Sequence, residues 1–498
     1  MQRLTKEQQA IVDCDLKPGQ TLKVMAFAGT GKTSTLVAYA KARPRMRFLY
    51  LAFNKSVQLE AAARFPSNVV ARTAHALAYR THGHPHKDRL VPGFRANTVM
   101  QALGLSRYED ARFTIETLTN YLITAAPKVT KWHIPHQARI FYDQCKSALP
   151  DFVDLANRLG RRMCDKTDPD IGMLHDGYLK LYQLSNPVLD FDCILLDEAQ
   201  DTNPVTSAIV MAQTQPHNGR CPASIILVGD SHQQIYSFRG ARDTLTKIKT
   251  DRTMYLTRSF RFDNNIARVA NMVLSNFKGE TQPLVGTPFN NLKPRWNAER
   301  YTVIARTNAT VFDKAVQLLS KAVAVGFVGG VAGYRLNRMK DVYYLFAGRR
   351  ERINDGYIKG FSDYRSLRAY AAAVEDMELL SICKVVENYR ERLPRLVDEI
   401  TARARTTEDA RVLLTTAHKS KGLQWENVLL MGDFLDLVDA DGQLADPAGS
   451  DPDEFNLIYV AMTRTIFNLR FDKKSTLPAF IKLIQKQRKQ FRVNRPAE

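Results

Sequence analysis

The eight residues Ala26-Phe-Ala28-Gly29-Thr30-Gly31-Lys32-Thr33 carry the most specific chemistry in this chain. A strand-like apolar run, Thr21 to Phe27, leads into them, and a helix-like run, Gly31 to Lys41, leaves. A glycine-rich turn in that setting has the layout of a phosphate-binding loop. Gly29 and Gly31 let backbone N–H groups close on an anion at a helix start, where the helix dipole also favours negative charge. Lys32 can then reach β- and γ-phosphates and the Thr33 hydroxyl can sit on Mg²⁺, with Ala28, Thr30 and Ser34 completing the lining. Ala26 stands where the strict pattern has its first glycine. A plain glycine turn between strand and helix is the competing reading, which only partner motifs displace.

One such partner is Ile194-Leu-Leu-Asp197-Glu198-Ala-Gln200-Asp201, where two adjacent carboxylates end an apolar run. Successive strand residues point to opposite sides, so the two can take different tasks. Asp197 would hold Mg²⁺, directly or through water, and Glu198 would activate an attacking water. The alternative is an acidic surface loop, which needs an apolar run to lead into it by accident. A further apolar run ends in the polar and aromatic segment Val228-Gly-Asp230-Ser-His-Gln233-Gln-Ile-Tyr236-Ser-Phe238-Arg239.

Groups of this kind must be held at strand ends. Four strand-like runs fall in the first half, Thr21–Phe27, Arg47–Phe53, Cys193–Leu196 and Ser224–Val228, separated by helical patterns. Their Leu, Ile and Val content suits a parallel sheet covered on both faces. The second half repeats the theme with Thr253–Leu256, Thr302–Arg306, Val412–Thr416 and Asn427–Met431. The expectation is an α/β protein with two domains in tandem. Polar, helical stretches at 79–170 and 347–407 read as insertions. The first domain would then comprise 1–78 and 171–252, and the second 253–346 and 408–498.

Composition bounds the partners. A charged content of 24% and a hydrophobic content of 45% are those of a soluble globular protein. No stretch is long and apolar enough to span a bilayer and no secretion signal is seen, so a cytoplasmic location is expected. Six scattered cysteines without a C-x-x-C pair argue for a reducing compartment and against zinc or iron–sulfur sites. With 71 Lys and Arg against 51 Asp and Glu, the formal charge is +20, which favours a polyanionic partner. The basic end, from Arg470 to Arg495, reads equally well as a solvated helix and tail.

With these motifs in hand, the chain resembles the superfamily 1A DNA helicases of the UvrD/PcrA/Rep type. The resemblance is closer to the F-box DNA helicase branch, through Ala26-Phe-Ala-Gly-Thr-Gly-Lys-Thr-Ser-Thr-Leu36, Phe53-Asn-Lys-Ser56, His175-Asp-Gly-Tyr-Leu-Lys180 and His232-Gln-Gln-Ile-Tyr236. An F-box is not expected, because the first helicase motif starts at residue 4. The resemblance implies two RecA-like P-loop domains, each with a mainly helical insertion, and a monomeric core that uses ATP and Mg²⁺. It implies that Gln8 reads the adenine edge, that Gln233 senses the γ-phosphate, and that Arg261 and Arg464 neutralise transition-state charge from the second domain. Phe260, Gly422 and Gln424 would line the nucleotide there.

For the nucleic acid, the resemblance implies strand contacts at Phe53, Asn54, Lys55, Thr73 and His75. It adds the stacking residues Tyr236, Phe238 and Arg239, and Thr416 and His418 in the second domain. Core packing is the competing role for Phe53 and Phe238. Two departures stand out: Gln424 replaces a usual glutamate, and Ser34 replaces the arginine many relatives carry after the loop. The activity implied is 3′ to 5′ translocation on single-stranded DNA, unwinding duplexes at junctions or stripping bound protein such as recombinase filaments. A nucleotide-gated DNA clamp without motor activity is the rival.

Overall fold

The computed structural model describes residues 3–216, 220–235, 244–288, 294–373 and 376–493. The chain divides into two compact units, Met1–Leu256 and Thr257–Glu498.

In the first unit six strands form one sheet: β1 (Thr21–Ala26), β2 (Phe48–Ala52), β3 (Val69–Thr73), β6 (Cys193–Leu196), β7 (Ser224–Gly229) and β8 (Arg252–Leu256). Their order is β3-β2-β6-β7-β1-β8 and every pairing is parallel. Strands β2, β6 and β7 are buried at every position, as expected where helices cover both faces. Parallel order brings all six carboxyl ends to one edge, where loops can carry a site. Two short strands, β4 (Leu90–Val91) and β5 (Met173–Leu174), pair with each other and tie together the two ends of the helical stretch between them. The helices Ala96–Leu103, Tyr108–Leu122 and Phe152–Cys164 contribute Val99, Leu118 and Leu159 to the same apolar core as β6 and β7.

Thr253–Leu256 corrects the sequence expectation. Rather than opening the second domain, it pairs with β1 as the edge strand of the first sheet, Leu256 lying opposite Ala26. The domain change therefore falls after Leu256 and not at 252/253. An alternating strand pattern specifies which face is buried but not which sheet the strand joins.

The second unit holds β9 (Tyr301–Ala305), β10 (Val325–Phe327), β11 (Val412–Thr416), β12 (Trp425–Leu430) and β13 (Thr465–Phe471), in the parallel order β10-β11-β9-β12-β13. Helices Tyr364–Ala373, Met377–Tyr389 and Leu393–Arg403 follow β10. Their Leu367, Ile382 and Val397 share one core with Val303 and Leu414 of the sheet, so this stretch packs onto its own domain. Among the described residues no helix is long and apolar enough to cross a membrane.

Candidate nucleotide and nucleic-acid sites

The loop after β1 is bent by two glycines. Gly29 has φ 75° and Gly31 φ 81°, a left-handed backbone that costs other residues roughly 1–2 kcal/mol. Thr30 braces the loop, its hydroxyl donating to the Phe27 carbonyl at 2.8 Å. Gly31 caps the helix Lys32–Lys41 without any side-chain bond, which leaves the first helical N–H groups facing outward for an anion. Ala28 is buried beneath the loop. Gln8 is also buried, and its carboxamide is held on both sides: it accepts from the Thr5 N–H at 3.0 Å, and its amide lies 3.5 Å from the Thr30 carbonyl.

Lys32 leaves this loop toward the end of β6 and contacts both Glu198 oxygens at 2.8 Å. Burial pulls its ammonium down, but Glu198, Asp197 and Asp230 outweigh that and hold it above its ordinary value. Glu198 sits at φ 49°, a left-handed conformation rare for a non-glycine residue. The Asp197 carboxylate accepts from Tyr50 Oη at 2.6 Å and from the Glu198 N–H at 2.8 Å, with Thr33 Oγ1 at 3.4 Å. Burial, and then the Glu198 charge, raise its pKa against the pull of Lys32 and Tyr50. Buried carboxylates that outnumber the one ammonium beside them, next to a hydroxyl, form a hard oxygen donor set short of positive charge. Thr33 and Asp197 therefore fit Mg²⁺.

Gln200 links this cluster to β7. Its amide donates to Glu198 at 2.6 Å, and its carbonyl accepts from the Asp230 N–H at 3.0 Å. The link requires glycine at 229, where an added Cβ would fall 2.3 Å from the Gln200 oxygen. Gln233, on the turn after β7, donates to Asp230 at 2.7 Å. Ser34 accepts from Arg64 at 2.9 Å, so a guanidinium from the helix Lys55–Arg64 reaches the first turn of the helix that follows the loop.

The second unit gathers its own predicted residues. Arg261 donates to the Gln424 carbonyl oxygen at 2.8 Å and to the Thr463 carbonyl at 2.9 Å. Arg464 is buried, and its guanidinium is held by the Val460 carbonyl at 2.9 Å and Thr463 Oγ1 at 3.2 Å. Phe260 is 39% exposed and Gly422, at φ 83°, is exposed. Gln424 thus keeps an acceptor that orients Arg261 despite the missing charge. Within the unit, three sequence-distant segments place two arginines around one threonine.

At the carboxyl ends of β2 and β3 lie the residues expected to touch nucleic acid. Phe53 is 50% exposed, which removes core packing as its role. Asn54 and Thr73 cap helices, accepting from Val57 N at 2.9 Å and Ala76 N at 3.1 Å, so their side chains are already engaged. Lys55 is exposed, and His75 meets Asp176 at 3.1 Å. In the second unit Thr416 is a buried cap for the turn carrying His418. Tyr236, Phe238 and Arg239 lie outside the described residues.

Sequence reasoning missed the supporting shell: Tyr50, Gln200, Thr463 and Asp176. Gln200 stands two residues after Glu198 in the acidic motif, so that nearness was a usable signal. Tyr50 is one aromatic in an apolar strand, and nothing local marks it.

Comparison with known proteins agrees with these motifs. Residues 113–252 match the UvrD/REP helicase N-terminal domain. The chain is 36% identical over 496 residues to F-box DNA helicase 1 of Gallus gallus, covering 93% of this chain and 48% of that protein. It is 30% identical over 511 residues to F-box DNA helicase protein 1 of Schizosaccharomyces pombe, covering 93% of this chain and 56% of that one. A probable DNA helicase II homolog of Mycoplasma pneumoniae is 25% identical over 56% of this chain and 43% of its own length. The chain spans about half the length of the F-box relatives. Residues 113–252 are thus similar to the UvrD/REP helicases, and nearly the whole chain is similar to part of the F-box DNA helicases.

Proposed function

We propose that this chain is an ATP-driven motor that moves 3′ to 5′ on single-stranded DNA and separates strands, or displaces bound protein such as recombinase filaments, in recombination and repair. The observation that carries it is the shared edge of the first sheet. There β1 ends in the phosphate loop, β6 in Asp197 and Glu198, and β2 and β3 in Phe53 and Thr73. Fuel and track on one rigid edge give chemistry a direct purchase on the polymer.

Lys32 would exchange Glu198 for the β- and γ-phosphate oxygens, which releases Glu198 to take a proton from water. Thr33 and Asp197 would hold Mg²⁺, which when bound supplies charge neutralisation on the phosphates. Gln233 would report the γ-phosphate to Asp230 and, through Gln200, back to Glu198. Arg261 and Arg464 would approach from the second unit, where a planar guanidinium suits bidentate contact with phosphate oxygens. Closure on ATP and opening after hydrolysis would then step the two strand-holding surfaces.

The test is unwinding of 3′-tailed against 5′-tailed duplexes, with DNA-stimulated ATP hydrolysis measured in the same preparation. Preference for the 3′ tail supports the reading. Hydrolysis indifferent to DNA would refute it. Nucleotide-dependent DNA binding with hydrolysis no faster than in Glu198→Gln would favour the clamp.

A further inference from the structure

Trp132 is 94% exposed, the largest value for any big apolar side chain among the described residues. It sits at the centre of the short turn Lys131–His133 in the helical insertion of the first unit. Aromatic side chains of this size are normally buried, since covering them is favourable by roughly 1.5–3 kcal/mol.

The turn that presents it is fixed from several sides. Thr130 N donates to His133 Nδ1 at 2.9 Å, Asn120 donates to the His133 carbonyl at 2.9 Å, and Thr124 Oγ1 meets His133 Nε2 at 3.2 Å. His133 itself is buried. Lys180, on the helix His175–Leu184, extends this brace by donating to the carbonyls of Thr124 and Ala126 at 2.8 and 2.5 Å. An unbroken line of hydrogen bonds thus runs from a helix of the first unit to the base of an exposed indole. A surface aromatic without a task needs no such mount.

The chain on either side of it is basic. From Thr117 to Tyr142 the chain has no Asp or Glu but contains Lys128, Lys131 and Arg139, all exposed. Among the described residues, Lys128, Lys131 and Arg139 make no ion pair, and the nearest preceding carboxylate in the sequence, Glu116, pairs with Arg112.

We propose that the Lys131–His133 turn is a further DNA-contact site, with the Trp132 indole stacking on an unpaired nucleobase and Lys128, Lys131 and Arg139 meeting phosphates. Aromatic faces set beside positive charge are what sequence-tolerant binding to unpaired strands requires. A run of residues with three exposed cations and no carboxylate between positions 117 and 142 favours a polyanion over a protein surface. The proposal rests on the reading of the chain as a DNA motor and adds a contact on the insertion, away from the strand-end residues Phe53 and Thr73.

The experiment uses the full chain, a 3′-tailed duplex and the variants Trp132→Ala and Trp132→Phe. Trp132→Ala should weaken binding about tenfold, within the range for one stacked base, and raise the DNA concentration for half-maximal hydrolysis by the same factor. Trp132→Phe should retain most of the affinity. The emission difference between wild type and Trp132→Phe isolates this indole, which should be quenched by acrylamide in the free protein and protected by DNA. Trp296→Phe, as a control elsewhere, should bind as wild type. Unchanged affinity in Trp132→Ala with an indole still open to acrylamide overturns the proposal and leaves the turn for a protein partner. If wild-type hydrolysis is not stimulated by DNA at all, the motor reading fails instead.

Discussion

Glu198→Gln separates two properties that the ion pair with Lys32 now joins. Both Glu198 oxygens lie 2.8 Å from the ammonium, a gross attraction of about 6 kcal/mol at an effective dielectric of about 20. Most of it is offset by desolvation, and glutamine retains an oxygen that can accept from Lys32. Asp197 and Asp230 also remain to hold the charge. A net effect of roughly 1 kcal/mol survives. ATP must displace Glu198 from Lys32, so the variant should bind nucleotide about three- to tenfold more tightly. Its hydrolysis should fall by about 10²–10⁴, because the amide cannot take a proton from water. Equilibrium titration with a fluorescent ATP analogue and single-turnover hydrolysis with saturating single-stranded DNA measure the two separately. Affinity falling together with rate, or a rate loss under about fivefold, would refute the assignment of Glu198 as a base restrained by Lys32.

Gly229→Ala should drive the Gln200 carboxamide off its bridge, since the new Cβ would lie 2.3 Å from its oxygen; a loss of about 1–3 kcal/mol in urea unfolding is expected, with reduced hydrolysis, and a wild-type midpoint would contradict the packing. Arg64→Ala should raise KM for ATP about three- to tenfold and move the melting temperature little, because Arg64 is a largely exposed residue whose partners are Ser34 and Glu60; an unchanged KM would reduce Arg64 to a surface residue. Burial brings Lys180 down to about 8, against the oxygens that favour its ammonium. The unfolded chain therefore binds a proton there that the native chain does not, and unfolding free energy should rise between about pH 8 and pH 10.5. Urea unfolding at both ends of that window checks the sign, and Lys180→Met should flatten the slope while lowering stability throughout.

Local chemistry made much of this chain legible in one dimension. The phosphate loop can be read because its glycine and lysine spacing is dictated by an anion of fixed size, whatever surrounds it. Asp197 and Glu198 can be read because a buried apolar strand seldom ends in two carboxylates unless a cation or a proton transfer calls for them. Repeated apolar runs between helical patterns likewise revealed a parallel α/β architecture before any strand was paired. Tertiary structure decided the rest. It assigned Arg252–Leu256 to the first sheet, since pairing depends on a neighbour that the strand's own pattern does not encode. It brought Tyr50 to Asp197 and Arg64 to Ser34 across 147 and 30 residues. It also left Trp132 bare on a braced turn, because exposure is a property of what fails to pack against a side chain, and no residue carries that information alone.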